Sequence, residues 1–317
     1  MDRKDVLEPA ETMQHCVPLW RLCLGARYCF LNDPNARSIP MPDLMTPSDY
    51  VALPVAEPDH EFRYGEHPSQ FGHLFLPDKP VLAPALLLLH GGCWQHAFGL
   101  APMGQLARHL SDMGFAVCNL EYRRIGGGGG WPATFEDVAM GARSFLATAA
   151  THGFSPRKLA VAGHSAGGHL ALWLAGRWRL PTDSALRVHE DIDPSAVVSL
   201  AGIGDLGAAL GAGICRGAPE QLMGGRPEAL PERYELASPS ALLPLAVPHW
   251  HVAGIDDVLV PISHVRDFVQ AARAAGDQTE IEAVANAGHF EIVATGSPVF
   301  SQVEAVFAKM MELLKTG

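Results

Sequence analysis

The chain is poor in positive charge. Its 23 lysines and arginines stand against 34 aspartates and glutamates, for a formal net charge of −11 over 317 residues. A polypeptide so charged lacks the cationic surface that neutralises phosphates, so neither nucleic acid nor an anionic membrane is expected as a partner. It also lacks any Cys-x-x-Cys pair. The six cysteines, Cys16, Cys23, Cys29, Cys93, Cys118 and Cys215, are scattered, a spacing that suggests neither a zinc site nor a disulfide framework. They read as reduced thiols in a cytoplasmic protein. Long apolar runs are missing too: the early stretch CVPLWRLCLGARYCFL is broken by Arg21 and Arg27 and is too short to span a bilayer. It follows the acidic lead MDRKDVLEPAE where a signal peptide would start basic, so no export signal and no transmembrane helix are expected. No internal repeat is visible.

What remains is an ordinary globular composition, 48% hydrophobic and 18% charged, in a chain long enough to bury a large core. Residues 1–61 carry Pro and Asp clusters such as NDPNARSIPMPDLMTP without clean periodicity. They are expected to form an N-terminal extension packing on or capping the core of a domain spanning 62–317. From FGHLFLP onward the pattern is regular. Apolar runs at 85–92, 114–122, 158–163, 196–202, 248–254 and 279–284 alternate with helical segments such as GQLARHLSDMG, TFEDVAMGARSFLATAA, AGGHLALWLAG, ISHVRDFVQAARAAG and VFSQVEAVFAKMMELL. Wholly apolar strands separated by helices predict an α/β fold with a mainly parallel central sheet and helices on both faces. In such a sheet ligands bind beyond the carboxyl ends of the strands, so the residues that follow each strand carry the interest.

After the run at 158–163 comes AGHSAGGH, in which Gly163-His164-Ser165-Ala166-Gly167 fits the G-x-S-x-G pattern between a strand and a helix. That pattern is the nucleophile elbow of the α/β-hydrolase fold: a strained turn exposes the serine, and glycines avoid clashes with the neighbouring strand and helix. The helix beginning at the serine directs free N–H groups and a positive dipole end at a developing oxyanion. A serine needs a base, and the base an orienting carboxylate, in the chain order Ser, acid, His. Among the downstream histidines, His169 belongs to the helix after the serine, His249 and His251 alternate inside a strand, and His264 sits in a helix. His189 has no such placement. His289, in NAGHFEIV after the last strand, is the expected base.

For the acid, AGIDDVLVP follows the strand PHWHVAG and offers Asp256 and Asp257. Asp257 is preferred because it stands three residues before Val260-Pro261, a spacing common in hydrolases of this fold; Asp205 is a weaker candidate. HGGCW at 90–94 ends another strand, where this fold supplies its remaining oxyanion donors. The N–H groups of Gly92, Cys93 and Ala166 are assigned to the hole, with Gly91 shaping the turn. Cys93 read as a nucleophile has no base placed for it. The run GGGGGWP at 126–132 lacks the Lys-Ser/Thr of a P-loop and reads as a flexible loop at the pocket rim.

Taken together, HGGCWQ, AGHSAGGHLA and HFEIV resemble the kynurenine formamidase (arylformamidase) branch of the α/β-hydrolases, over roughly residues 62–317. Carboxylesterases of the hormone-sensitive-lipase type share the same motifs. Cys93 replaces a tyrosine of the formamidases, and the glycine-rich loop departs from their pattern. The resemblance implies hydrolysis of a small acyl group from an aromatic substrate, with Ser165 as nucleophile, His289 as base and Asp257 as orienting acid. Trp94 and Trp131 would present flat faces to the aryl group. No metal or organic cofactor is required, the partner is a small-molecule acyl-aryl substrate, and a homodimer is compatible with the sequence. The rival readings are a short-chain carboxylesterase and a hydrolase-fold binding protein without catalysis.

Overall fold

In the computed structural model, residues 43–79, 83–154, 158–187 and 194–316 are described. Most of the expected extension at 1–61, and with it Cys16, Cys23 and Cys29, lies outside the described residues, as does His189. The sheet begins with β1 (His60–Arg63) and β2 (Phe71–Phe75) and continues through β3 (Ala85–Leu89), β4 (Ala116–Leu120), β5 (Leu159–His164), β6 (Ala196–Leu200), β7 (His249–Gly254) and β8 (Thr279–Val284). Its spatial order is β1-β2-β4-β3-β5-β6-β7-β8. The pairs β1/β2 and β2/β4 are antiparallel, and every pair from β4 to β8 is parallel. This is the α/β-hydrolase fold.

The burial of the strands explains their composition. Every residue of β3, β4, β5 and β6 is buried, as expected of parallel strands covered on both faces. Alternate side chains feed two cores. Leu87, Leu89 and Val161 join Trp173 and Phe145 on one side, whereas Leu86, Leu88 and Ala162 join Phe307 and Met310 on the other. The helices that close these cores are α1 (Pro47–Val51), α2 (Gly104–Asp112), α3 (Ala133–His152), α4 (Ala166–Gly176), α5 (Leu206–Gly211), α6 (Ala218–Met223), α7 (Pro231–Ala237), α8 (Ile262–Ala274) and α9 (Phe300–Thr316). All eleven residues of α4 are buried, the signature of a helix enclosed on every side rather than lying on the surface. No described helix is long and apolar enough to cross a membrane.

The chain leaves β3 for β4 on one side, while β5 pairs with β3 on the other. This is the switch point at which α/β sheets open a crevice. The register sets Leu89 opposite Gly163, so HGG and the nucleophile elbow emerge side by side.

Two features differ from expectation. Cys93 and Cys215 are joined by a disulfide across 122 residues of sequence, with Cα atoms 5.5 Å apart. This corrects the reading of the cysteines as reduced thiols; Cys118, buried, is the free one among the described residues. The run Gly126–Gly130 is not a loose loop but a bonded turn. The N–H groups of Gly127 and Gly129 both donate to Arg124 O, at 2.8 and 2.9 Å, and that of Gly130 donates to Thr134 Oγ1 at 2.9 Å. Close approach accounts for one of its glycines: a Cβ on Gly129 would lie 2.3 Å from the Arg123 carbonyl.

Candidate active site

Ser165 caps the N-terminus of α4 with φ 55° and ψ −118°, a conformation that a non-glycine residue holds only where its surroundings impose it. They do. The Ser165 N–H donates to Leu200 O at 2.8 Å and its carbonyl accepts from His169 N at 3.1 Å. The neighbouring glycines are there for contact. A Cβ on Gly163 would sit 2.1 Å from Gly167 O, and one on Gly167 would sit 2.1 Å from Leu89 O. The elbow is packed backbone against backbone, and only glycine fits.

Asp257 and His289 are brought into direct contact, with His289 Nδ1 2.6 Å from Asp257 Oδ2. The other carboxylate oxygen accepts the N–H groups of Leu259 and Val260, at 2.8 and 2.9 Å, so Asp257 is locked before it meets the imidazole. Asp256, the rejected alternative, turns its side chain to no hydrogen-bond partner among the described residues, and Asp205 is occupied in capping α5 and accepting from Ser240 Oγ at 2.6 Å. Ser165, Asp257 and His289 are 3%, 5% and 6% exposed. Ser165 Oγ and His289 Nε2 carry no hydrogen bond among the described residues, yet neither is among the fully enclosed unpartnered atoms.

His289 is held from below by groups that motif reasoning did not single out. His164, the variable residue of the serine motif, donates from Nε2 to the carbonyl of His289 at 3.0 Å, and the two rings lie 4.5 Å apart. Burial, with the nearby His289, drives the His164 pKa well below the usual histidine value, so the ring stays neutral. Tyr50 of α1 stacks on Phe290 at 4.8 Å, and Glu291 accepts the N–H of Gly288 at 2.9 Å and that of Met45. The signal was present in HFEIV, but its meaning depends on residues 45–50, which showed no periodicity.

On the other side of the serine, Gly91 abuts the elbow: a Cβ there would meet Ser165 Cβ at 3.1 Å. The backbone then runs left-handed through Gly92, Cys93 and Trp94, with φ 109°, 51° and 56°. Within the described residues the N–H groups of Gly92, Cys93 and Ala166 donate to no carbonyl. The turn is anchored by His90, whose Nε2 lies 2.9 Å from Glu121 Oε1 and whose carbonyl accepts from Tyr122 Oη at 2.7 Å. Burial would raise the Glu121 carboxyl, but His90 and Arg124 beside it hold it below the usual carboxylate range. Cys93 cannot act as a nucleophile, because its sulfur is bonded to Cys215.

Trp94 is a correction. The left-handed turn sends its indole into the core, with no exposed surface and edge-on to His169 at 5.2 Å, so it offers no face to an accessible pocket. Trp131 is half-buried with its ring against Phe135, and its backbone N–H donates to Leu222 O at 2.7 Å.

Comparison with known proteins follows the same lines. The BD-FAE family model matches residues 73–271. Esterase LipC of Mycobacterium tuberculosis is 28% identical over 244 residues, 71% of this chain and 58% of that protein. The probable carboxylic ester hydrolase LipM of the same organism is 27% identical over 234 residues, 71% of this chain and 54% of that protein. The chain therefore spans little more than half the length of these relatives. Among solved structures, a truncated carbohydrate esterase from gut microbiota superposes with a TM-score of 0.70 at 20% identity, covering 82% of this chain and 98% of that one. Esterase B from Lactobacillus rhamnosis gives 0.69 at 20% identity, covering 84% and 89%.

Proposed function

The chain belongs to the BD-FAE family, and from that premise we propose that it is a serine carboxylesterase acting on esters of short acyl chains through an acyl-enzyme. The observation that carries the reading is the 2.6 Å contact of His289 Nδ1 with Asp257 Oδ2, on the strand-end loops beside an elbow whose serine oxygen is unbonded. In this reading Ser165 Oγ attacks the acyl carbon while His289 Nε2 takes its proton, and Asp257 steadies the imidazolium. Negative charge on the former carbonyl oxygen is met by the N–H groups of Gly92, Cys93 and Ala166 and by the N-terminus of α4. His289 then protonates the leaving alcohol, and water repeats the relay on the acyl-enzyme.

The relatives named as esterases favour an ester over a formamide. The narrower arylformamidase reading keeps the support of its motifs and of the half-buried Trp131. A panel of p-nitrophenyl acetate, p-nitrophenyl butyrate and N-formylkynurenine, with a fluorophosphonate probe for Ser165, tests both. Ester turnover with labelling of Ser165 is expected. A formamide rate far above the ester rates would restore the arylformamidase, and a folded protein that neither turns over nor labels would refute the enzyme.

A further inference from the structure

The disulfide joins two segments that have little else in common in the sequence. Cys93 lies in the turn assigned to the oxyanion, and Cys215 lies between α5 and α6, in the long connection from β6 to β7. Eight non-glycine residues among those described have positive φ, and four of them, Cys93, Trp94, Cys215 and Arg216, sit at the two ends of this one bond. Left-handed backbone at non-glycine residues persists only where contacts over-determine it. The bond is such a contact at both ends.

The same connection is tied to the same rim twice more. Gln95 Nε2 donates to Gln221 Oε1 at 3.2 Å, and the backbone N–H of Trp131 donates to Leu222 O at 2.7 Å. Both are single hydrogen bonds, one of them between exposed side chains. The covalent link is the strong member of the set and the one that reaches the oxyanion turn directly.

We propose that Cys215 is a positioning residue for the reaction: its bond to Cys93 holds the oxyanion turn in the donor geometry, so that breaking the bond lowers turnover. Both cysteines are half-buried rather than enclosed, and the bond is broken by thiol–disulfide exchange when a small thiol attacks one sulfur. Dithiothreitol supplies two electrons and two protons, the S–S bond becomes two thiols, and the reductant closes to its cyclic disulfide. Freed from Cys215, Gly92 and Cys93 can relax from left-handed backbone and turn their N–H groups away from the oxygen. A loss of transition-state stabilisation appears in kcat rather than in KM. Oxyanion donors act at full strength only when fixed, so a fall of about tenfold or more is expected. The site is then a thiol-responsive one, active when oxidised and weakened in a reducing compartment.

The inference rests on the ester-hydrolase reading, and the test separates the two. Wild-type protein is purified under oxidising conditions and mapped without reductant, where a peptide linking Cys93 to Cys215 is expected. Two alkylated cysteines instead would overturn the proposal. Turnover of p-nitrophenyl acetate and the rate of fluorophosphonate labelling of Ser165 are then measured before and after dithiothreitol, with circular dichroism to follow the fold, and again after oxidised glutathione. Expected are a fall of about tenfold or more in kcat and in labelling rate, a KM within about twofold, and recovery on reoxidation. Cys215→Ser should match the reduced enzyme and ignore dithiothreitol. If that variant does not fold, the wild-type cycle decides alone. Equal kcat in both states, or a change confined to melting temperature, overturns the positioning role. Labelling without ester turnover refutes the proposed substrate class but leaves the labelling rates to decide the role of the bond; no labelling in either state refutes both.

Discussion

His164 donates a hydrogen bond of 3.0 Å to the carbonyl of His289, which means that the residue before Ser165 holds the loop bearing His289. Ser165 and His289 come from β-strand ends separated by β6 and β7 in the sheet. A direct bridge between them removes one degree of freedom from the relative placement of Ser165 and His289, on which the proposed reaction depends. The neutral state of His164 suits this task, since its Nε2 must carry a proton to donate, and no net charge is left in the floor of the site.

His164→Ala should therefore lower kcat by about tenfold to a hundredfold while the protein remains folded, because a small misplacement of a catalytic group has that scale of effect. His164→Gln can restore a donor at similar reach and should recover part of the loss. Steady-state kinetics with p-nitrophenyl butyrate check both. Unchanged kcat in the alanine variant would show that the bridge is packing only.

Ser165→Ala and His289→Ala should each lose several orders of magnitude in kcat with the fold intact, and Asp257→Asn somewhat less, as triad members acting as a unit do. Asp256→Asn should be nearly silent, because among the described residues no side-chain hydrogen bond of Asp256 is present to lose. The decisive comparison is between the two aspartates: a large loss at 256 with a small one at 257 contradicts the 2.6 Å contact on which the site is built.

Much of this was legible in the sequence, and the reason is locality. β8 occupies 279–284 and α4 occupies 166–176, as the apolar runs and the glycine punctuation predict, and each of Ser165, Asp257 and His289 sits in a short motif next to a strand end. The connection from β6 to β7 was not legible. Its helices α5, α6 and α7 are six, six and seven residues long, too short to show a period, and α6 is tied to the distant Gln95 and Trp131. The link from Cys93 to Cys215 spans 122 residues, and cysteine spacing does not disclose connectivity. Trp94 went astray for a related reason: the direction of a side chain after a left-handed turn is not written in its residue type.

Glycines supply a test of two separate costs. Gly163→Ala would place a Cβ 2.1 Å from the Gly167 carbonyl oxygen, a backbone atom that cannot swing away, and should destabilise by about 3 kcal/mol or prevent folding. Gly153, the left-handed cap of α3 with φ 75°, has nothing within 4 Å of such a Cβ. Gly153→Ala should cost only about 1–2 kcal/mol, the penalty of the left-handed backbone alone. Urea denaturation of the two variants measures the difference; equal costs would mean that the elbow is not as tightly packed as its contacts state.

Acid should destabilise the protein through its buried histidines. Burial lowers His169 and His249 to about 4 and drives His164 and His251 well below the usual value. A group depressed in the folded state binds its proton first in the unfolded chain, so its contribution to stability is complete above about pH 6.5 and is lost as the pH falls toward its folded value. Each such histidine adds a slope of about 1.4 kcal/mol per pH unit in that window. His169 and His249 stop contributing near pH 4. Melting temperatures should accordingly be flat above neutrality and fall steeply between pH 6 and pH 4. His169 offers the cleanest probe, since its Nε2 donates to Ala237 O at 3.0 Å and its Nδ1 is unpartnered. His169→Gln should keep a donor near that carbonyl and reduce the proton uptake on unfolding at pH 5 by about one. Were the slope the same in the variant, His169 would not be one of the groups that set the acid limit.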